Sequence, residues 1–192
     1  MKPVSDLSGH EIVGCRLVGA MPSSVLVEMW LKITSRIVKY GFPIHYQDLE
    51  APRTGTFNGL NITLDPDVGF EMQCFILLHL FGHSVQWVAP ELAAGLDDLL
   101  HTKDRERFMQ VLRAYEFQAA RIGMALLHEV GVTELDQWYS DFVETDWRYV
   151  ARYYREGSIP DWETCKADGC EIIQPMQIPE LHHKEVQVRF AF

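Results

Sequence analysis

Apolar residues recur along this chain at two different periods, and the changes between them divide it into segments. In "PSSVLVEMWLKITSRIVKYG", Val25, Met29, Ile33 and Ile37 share one helical face, Ser23 and Ser24 are available as caps, and Gly41 is the stop. In "FPIHYQDLEAPRTGTFNGLNITLD", Pro43, Pro52, Gly55 and Gly59 break helix, and the alternation of "LNITLD" beside an Asn58-Gly59 turn predicts a short hairpin or small sheet. From about Phe70 to Val88, ending before Pro90, the chain is apolar on nearly every face. A helix of that kind lies inside a domain, and Asp65 or Asp67 stands ready to cap it.

"TKDRERFMQVLRAYEFQAARIGMALLHEVG" predicts a third helix, with Phe108, Val111, Leu112, Tyr115, Ala119, Ile122 and Leu126 on one side and Gly131 as its end. "TELDQWYSDFVETDWRYVARYYREG" predicts a fourth, from Thr133 to Gly157, its aromatic residues in the core and Arg148, Arg152 and Arg155 on a solvated face. Beyond it the chain is punctuated by Pro and Gly until "KEVQVRFAF", which alternates like a terminal strand.

These elements describe an α+β, mainly helical fold with a small β-sheet beside a buried helix. A chain of 192 residues, 47% of them hydrophobic, can bury one substantial core. The expected organisation is one domain over residues 1–157, with residues 158–192 as a C-terminal extension packed on it. A formal net charge of -10 repels phosphate backbones and anionic lipid, which argues against a nucleic-acid or membrane partner. The opening "MKPVSDLSGHEIVGCRLVGAMP" is interrupted by Asp6, His10, Glu11 and Arg16, so it lacks the apolar run of a signal peptide or membrane span, and a cytoplasmic location is expected. Cys15, Cys74, Cys165 and Cys170 are too few for a disulfide scaffold and read as reduced thiols.

The candidate chemistry sits in "CFILLHLFGHSVQW". His79 and His83, four apart on a helix, project from one face and can direct their rings to one point. A metal site needs a third protein ligand, and zinc accepts a carboxylate. Glu116 in "AYEFQAARIG" is the candidate, because Ala119, Ala120 and Gly123 let its helix approach a neighbour closely. Imidazoles among residues this apolar need partners. A shared zinc ion satisfies both, and hydrogen bonds from Gln86 or Ser84 are the alternative.

Other candidates are weaker. Cys165 and Cys170 with His182 and His183 have ligand chemistry without a zinc-site spacing. Val132 occupies the place where His128-Glu129 would need a second histidine, and Ser84 has no glycine-flanked elbow.

The order of helix, "GTFNGLNITLD" strand, "LLHLFGHSVQW" helix and "YEFQAARIG" helix resembles the ImmA/IrrE-type zinc metallopeptidases, a gluzincin-like group with an HExxH helix and a downstream Glu ligand. The resemblance covers roughly Val25 to Leu127. It implies a zincin-like domain in which His79, His83 and Glu116 hold zinc and the strand bearing Phe57, Asn58 and Gly59 borders a cleft for a peptide or protein. Leu80 departs from the pattern, standing where the family has the glutamate that takes a proton from the attacking water. Leucine cannot accept it, and losing a general base typically costs ~10²–10⁴-fold in rate. The expectation is therefore a zinc-binding relative of metallopeptidases, hydrolase-like in fold, with weak or absent peptidase activity. No replacement base is evident: Tyr115, His101, Glu71 and Glu91 are near in sequence, but the sequence places none of them over a metal. The alternatives are a non-catalytic pseudopeptidase that binds a peptide or regulatory partner, and a metal-free helical domain.

Overall fold

The structure is a computed structural model and describes residues 23–89, 91–92 and 104–181. His101, His182, His183, Cys15 and the "KEVQVRFAF" stretch lie outside the described residues. Helix α1 spans Ser23–Lys39 and buries Leu26, Met29, Ile33 and Ile37. Leu26 takes the buried place expected of Val25, a rotation of one residue at the first turn. At its far end Arg36 pairs with Glu129, which also accepts a 2.6 Å hydrogen bond from Tyr40.

Strands β1 (Ile44–Tyr46), β2 (Gly55–Phe57) and β3 (Ile62–Leu64) form a three-stranded sheet in the order β1-β3-β2. β1 pairs parallel with β3, and β2 pairs antiparallel with it, Phe57 opposite Ile62. The hairpin is present, but its turn runs over residues 58–61 and is not a two-residue Asn-Gly turn. Asn58 Oδ1 accepts from the backbone N–H groups of Leu60 and Asn61 at 3.0 and 2.8 Å. This side-chain mimic of a backbone turn holds the two strands in register.

Helix α2 (Phe70–Val88) passes beneath the sheet and is buried along almost its whole length. Its start differs from the expectation: Asp65 Oδ1 accepts from Asp67 N at 2.8 Å in its own local turn, and Gly69 precedes the helix without a side-chain cap. β2 lies flat on α2 because residue 55 is glycine. A Cβ there would stand 2.7 Å from Ile76 Cγ2 and 2.8 Å from Leu80 Cδ1.

Helix α3 (Arg105–Glu129) is capped by Asp104, whose carboxylate accepts from Glu106 N and Arg107 N. Helix α4 (Asp136–Glu156) begins three residues later than the pattern suggests, after a turn in which Thr133 O accepts from Asp136 N, and ends at Gly157. α2 packs chiefly on α3, and α3 on α4, so the core lies between α1, the sheet and this helical layer.

The chain from Ser158 to Leu181 forms only one 3-10 turn, Trp162–Cys165, and runs along α4 as a strap. Arg148 and Arg152, expected on a solvated face, hold it: Arg148 donates to Lys166 O at 2.9 Å and Arg152 to Thr164 Oγ1 at 2.6 Å. Among the described residues no helix is long and apolar enough to cross a membrane.

Candidate metal centre

The α2–α3 contact is unusually close. Gly82 on α2 faces Ala119 on α3, and a Cβ on Gly82 would lie 2.2 Å from the Ala119 carbonyl oxygen. This proximity, one turn from Glu116, brings that carboxylate to the histidine pair. His79 Nε2 and His83 Nε2 are 3.0 Å apart, and Glu116 Oε2 is 3.2 Å from each. A tetrahedral zinc with bonds of 2.0–2.1 Å sets its ligand atoms about 3.3–3.4 Å apart, so the three donors outline one face of such a polyhedron. The observed edges are slightly shorter, as hydrogen-bond contacts are. The residues fit a divalent cation.

His83 is oriented by its second ring nitrogen. Nδ1 donates to Gln86 Oε1 at 2.8 Å, and Gln86 in turn donates to Tyr115 O and Gln118 Oε1 at 2.9 and 2.7 Å. This fixes the proton on Nδ1 and leaves the Nε2 lone pair facing the other donors. Phe57 of β2 stacks on the His83 ring, 5.9 Å away and 5° from parallel, and Tyr115 packs at 4.7 Å. His79 stacks on Phe75, but its Nδ1 has no hydrogen-bond partner.

Burial sets the charges. His83 is fully buried, and desolvation holds its pKa below the ordinary imidazole value, with Glu116 opposing and His79 reinforcing that shift. His79 moves the other way. Burial lowers its pKa, but the Glu116 hydrogen bond and the nearby charges of Asp146 and Glu116 outweigh this. For Glu116, burial alone would raise the carboxyl, whereas both imidazoles hold it well below the usual carboxylate range. Without a cation, these shifts favour an ionised Glu116 beside a His79 that holds its proton more readily than a free imidazole. A cation held there would compete with a proton for the same nitrogen.

No family model, curated protein or solved structure matches the chain. The site must be read from its own geometry.

His79, His83 and Glu116 are brought together as the spacing suggested. Of the three predicted cleft residues, Phe57 stacks on His83, Gly59 is buried in the turn, and Asn58 is exposed with its side chain spent on that turn. Among the described candidate bases, Tyr115 and Glu71 are engaged elsewhere. Tyr115 Oη accepts from Trp87 Nε1 at 3.0 Å, and burial pushes its phenol far up. Glu71 accepts from Trp138 Nε1 at 2.8 Å, and its eight-residue separation from His79 along α2 corresponds to about 12 Å of helix. Glu91 is exposed. Leu80 is 1% exposed and packs under Gly55. Ser84 donates to Leu80 O, and His128 pairs with Asp136.

Two residues were missed in the sequence. Gln86 was named only as a substitute for the metal, whereas here it orients the His83 ring. Asp146 on α4 was not named at all, yet its Oδ2 is 4.0 Å from His79 Nε2. The signal was present: Asp146 lies three, four and seven residues after Val143, Phe142 and Tyr139, all buried, so it is a carboxylate on a core-facing stripe. Burial first, then the charge of Glu116, pushes its carboxyl up to about 6 against the attraction of His79.

Proposed function

We propose that this chain is a metal-binding protein of zincin-like design in which His79, His83 and Glu116 hold one divalent ion, zinc being the ion that two imidazoles and a carboxylate suit well. The observation that carries the reading is the near-equilateral triangle of donor atoms, 3.0 to 3.2 Å on a side, built from two helices and backed by Gln86. A bound zinc ion would supply positive charge and Lewis acidity there. The chain's own residues provide little for peptide hydrolysis: Leu80 carries no proton, Tyr115 and Glu71 are engaged, and the three donors are only 7, 0 and 5% exposed. The protein is therefore related in design to metallopeptidases, and its ordinary peptidase activity is weak or absent.

Elemental analysis of protein purified without added metal or chelating resin tests the metal assignment. Near-stoichiometric zinc in the wild type, lost in His83→Ala, supports it. Absence of metal in the wild type together with no thermal stabilisation by added zinc overturns it. Casein hydrolysis by zinc-loaded protein that disappears in His79→Ala would overturn the inactive assignment alone.

The position of β2 at the edge of the sheet supports a second reading, a non-catalytic module that takes a peptide as an added strand. Trp87 packs on Phe57 and reports on that strand. Its emission should change on titration with a mixed peptide library, and an unchanged signal together with no retained peptide removes this reading.

A further inference from the structure

Resting on the metal assignment above, we propose that Asp146 is a fourth protein ligand to the same ion, so that the site is closed by two histidines and two carboxylates and joins α2, α3 and α4. Asp146 stands one step outside the trio. Its Oδ2 is 4.0 Å from His79 Nε2 but lies outside the group of donor atoms that are all within 4.8 Å of one another, so the carboxylate must move by more than about 1 Å to reach the ~3.3–3.4 Å edges of a zinc polyhedron. Among the described residues nothing donates a hydrogen bond to this carboxylate, although its side chain is only 18% exposed and its residue lies on the core-facing stripe of α4. A carboxylate that is largely but not wholly removed from water is stabilised by a cation beside it.

Charge balance points the same way. With His79 and His83 neutral as ligands, Glu116 and Asp146 together carry the two negative charges that neutralise one divalent ion. A site with Glu116 alone would retain a net positive charge among Phe57, Phe75 and Phe142, which pack around the histidines or stack on their neighbours. Four protein ligands also describe a structural zinc site, whereas a catalytic one keeps a position open. The absence of a carboxylate at residue 80 agrees with such a closed site.

The test is a crystal structure of the zinc-loaded wild-type protein with anomalous data at the zinc edge, joined to cobalt(II) titration of wild type, Asp146→Asn and Asp146→Ala. The expected result is Asp146 Oδ at ~2.0–2.2 Å from the ion. Cobalt affinity should fall in Asp146→Ala by more than the ~10–100-fold typical of losing an outer partner, with a changed visible spectrum. Solvent in the fourth position, with Asp146 hydrogen-bonded to it, overturns the proposal and makes Asp146 a proton acceptor. Cobalt spectra identical in wild type and both variants overturn it as well. A wild type that takes up neither zinc nor cobalt removes the metal assignment itself, an outcome separate from either of these. If Asp146→Ala fails to fold, the wild-type crystal structure and the isosteric Asp146→Asn still decide.

Discussion

Gly82 and Ala119 set the distance between the helices that carry the two histidines and Glu116, because the Ala119 carbonyl oxygen occupies the place a Cβ on residue 82 would take. Gly82→Ala must push α3 outward and carry Glu116 away from the imidazoles. Overpacking typically costs ~1–3 kcal/mol, and a backbone neighbour cannot turn aside as a side chain can. We expect a lower denaturation midpoint and weakened zinc binding together. Unchanged zinc affinity by calorimetry would show that the close approach does not position Glu116.

Gln86→Leu removes the acceptor at His83 Nδ1 while leaving the metal-facing nitrogen untouched. Zinc affinity should fall by ~10–100-fold, with helical content preserved. A circular-dichroism spectrum like the wild type's, combined with undiminished affinity, would mean that packing against Phe57 and Tyr115 alone orients the ring.

Leu80→Glu is the substitution that restores the peptidase pattern in sequence. In this fold it places a carboxylate under Gly55 at a position 1% exposed. Burying an unpaired charge is costly, so the variant should melt several degrees lower and show no casein hydrolysis above the wild type's level. Hydrolysis that rises with the substitution and vanishes on chelation would refute this.

The metal-free protein should respond to pH in a particular direction. Asp146 has its carboxyl raised from 3.8 to about 6, so the folded state binds its proton more tightly than the unfolded state does. Stability from this group is full below about 4 and is lost as pH rises through about 6. His79, also raised, acts in the same sense, with stability present below 6.5 and lost as pH climbs past its folded value. Glu116, lowered from 4.5, opposes them only at acid pH. After chelation, Asp146→Asn should therefore gain stability relative to wild type between pH 5 and pH 7.5. Parallel melting curves at the two pH values would contradict this sign.

The long helices were legible because their faces are one-sided or their ends are marked. α2 was readable from its uninterrupted apolar run, and the ends of α3 and α4 from Gly131 and Gly157. The histidine pair was legible because four residues on a helix fix a relative position, and Glu116 because the small residues after it implied a close neighbour. Asp146 was not, since no local spacing links α4 to α2 and only tertiary packing brings the two together. β1 was also unspecified, because a three-residue strand pairing in parallel with β3 leaves no turn in between to mark it.

The strap after Ser158 is gripped by its main chain. Ala167 N, Cys170 N and Ile173 N donate to Thr145, Asp141 and Ser140, while Gln137 and Arg148 donate to the carbonyls of Cys170 and Lys166. Those helix residues recur at helical spacing along one side of α4, and the strap's own Glu171, Ile172, Gln174 and Gln177 face outward. The side chains at 137, 140, 141, 145 and 148 therefore hold main-chain groups that every residue type but proline offers, while the strap's own Trp162, Cys165, Ile173 and Met176 add packing. A polar stripe of this kind imitates the signature of a ligand surface, although its occupant is the end of the same polypeptide.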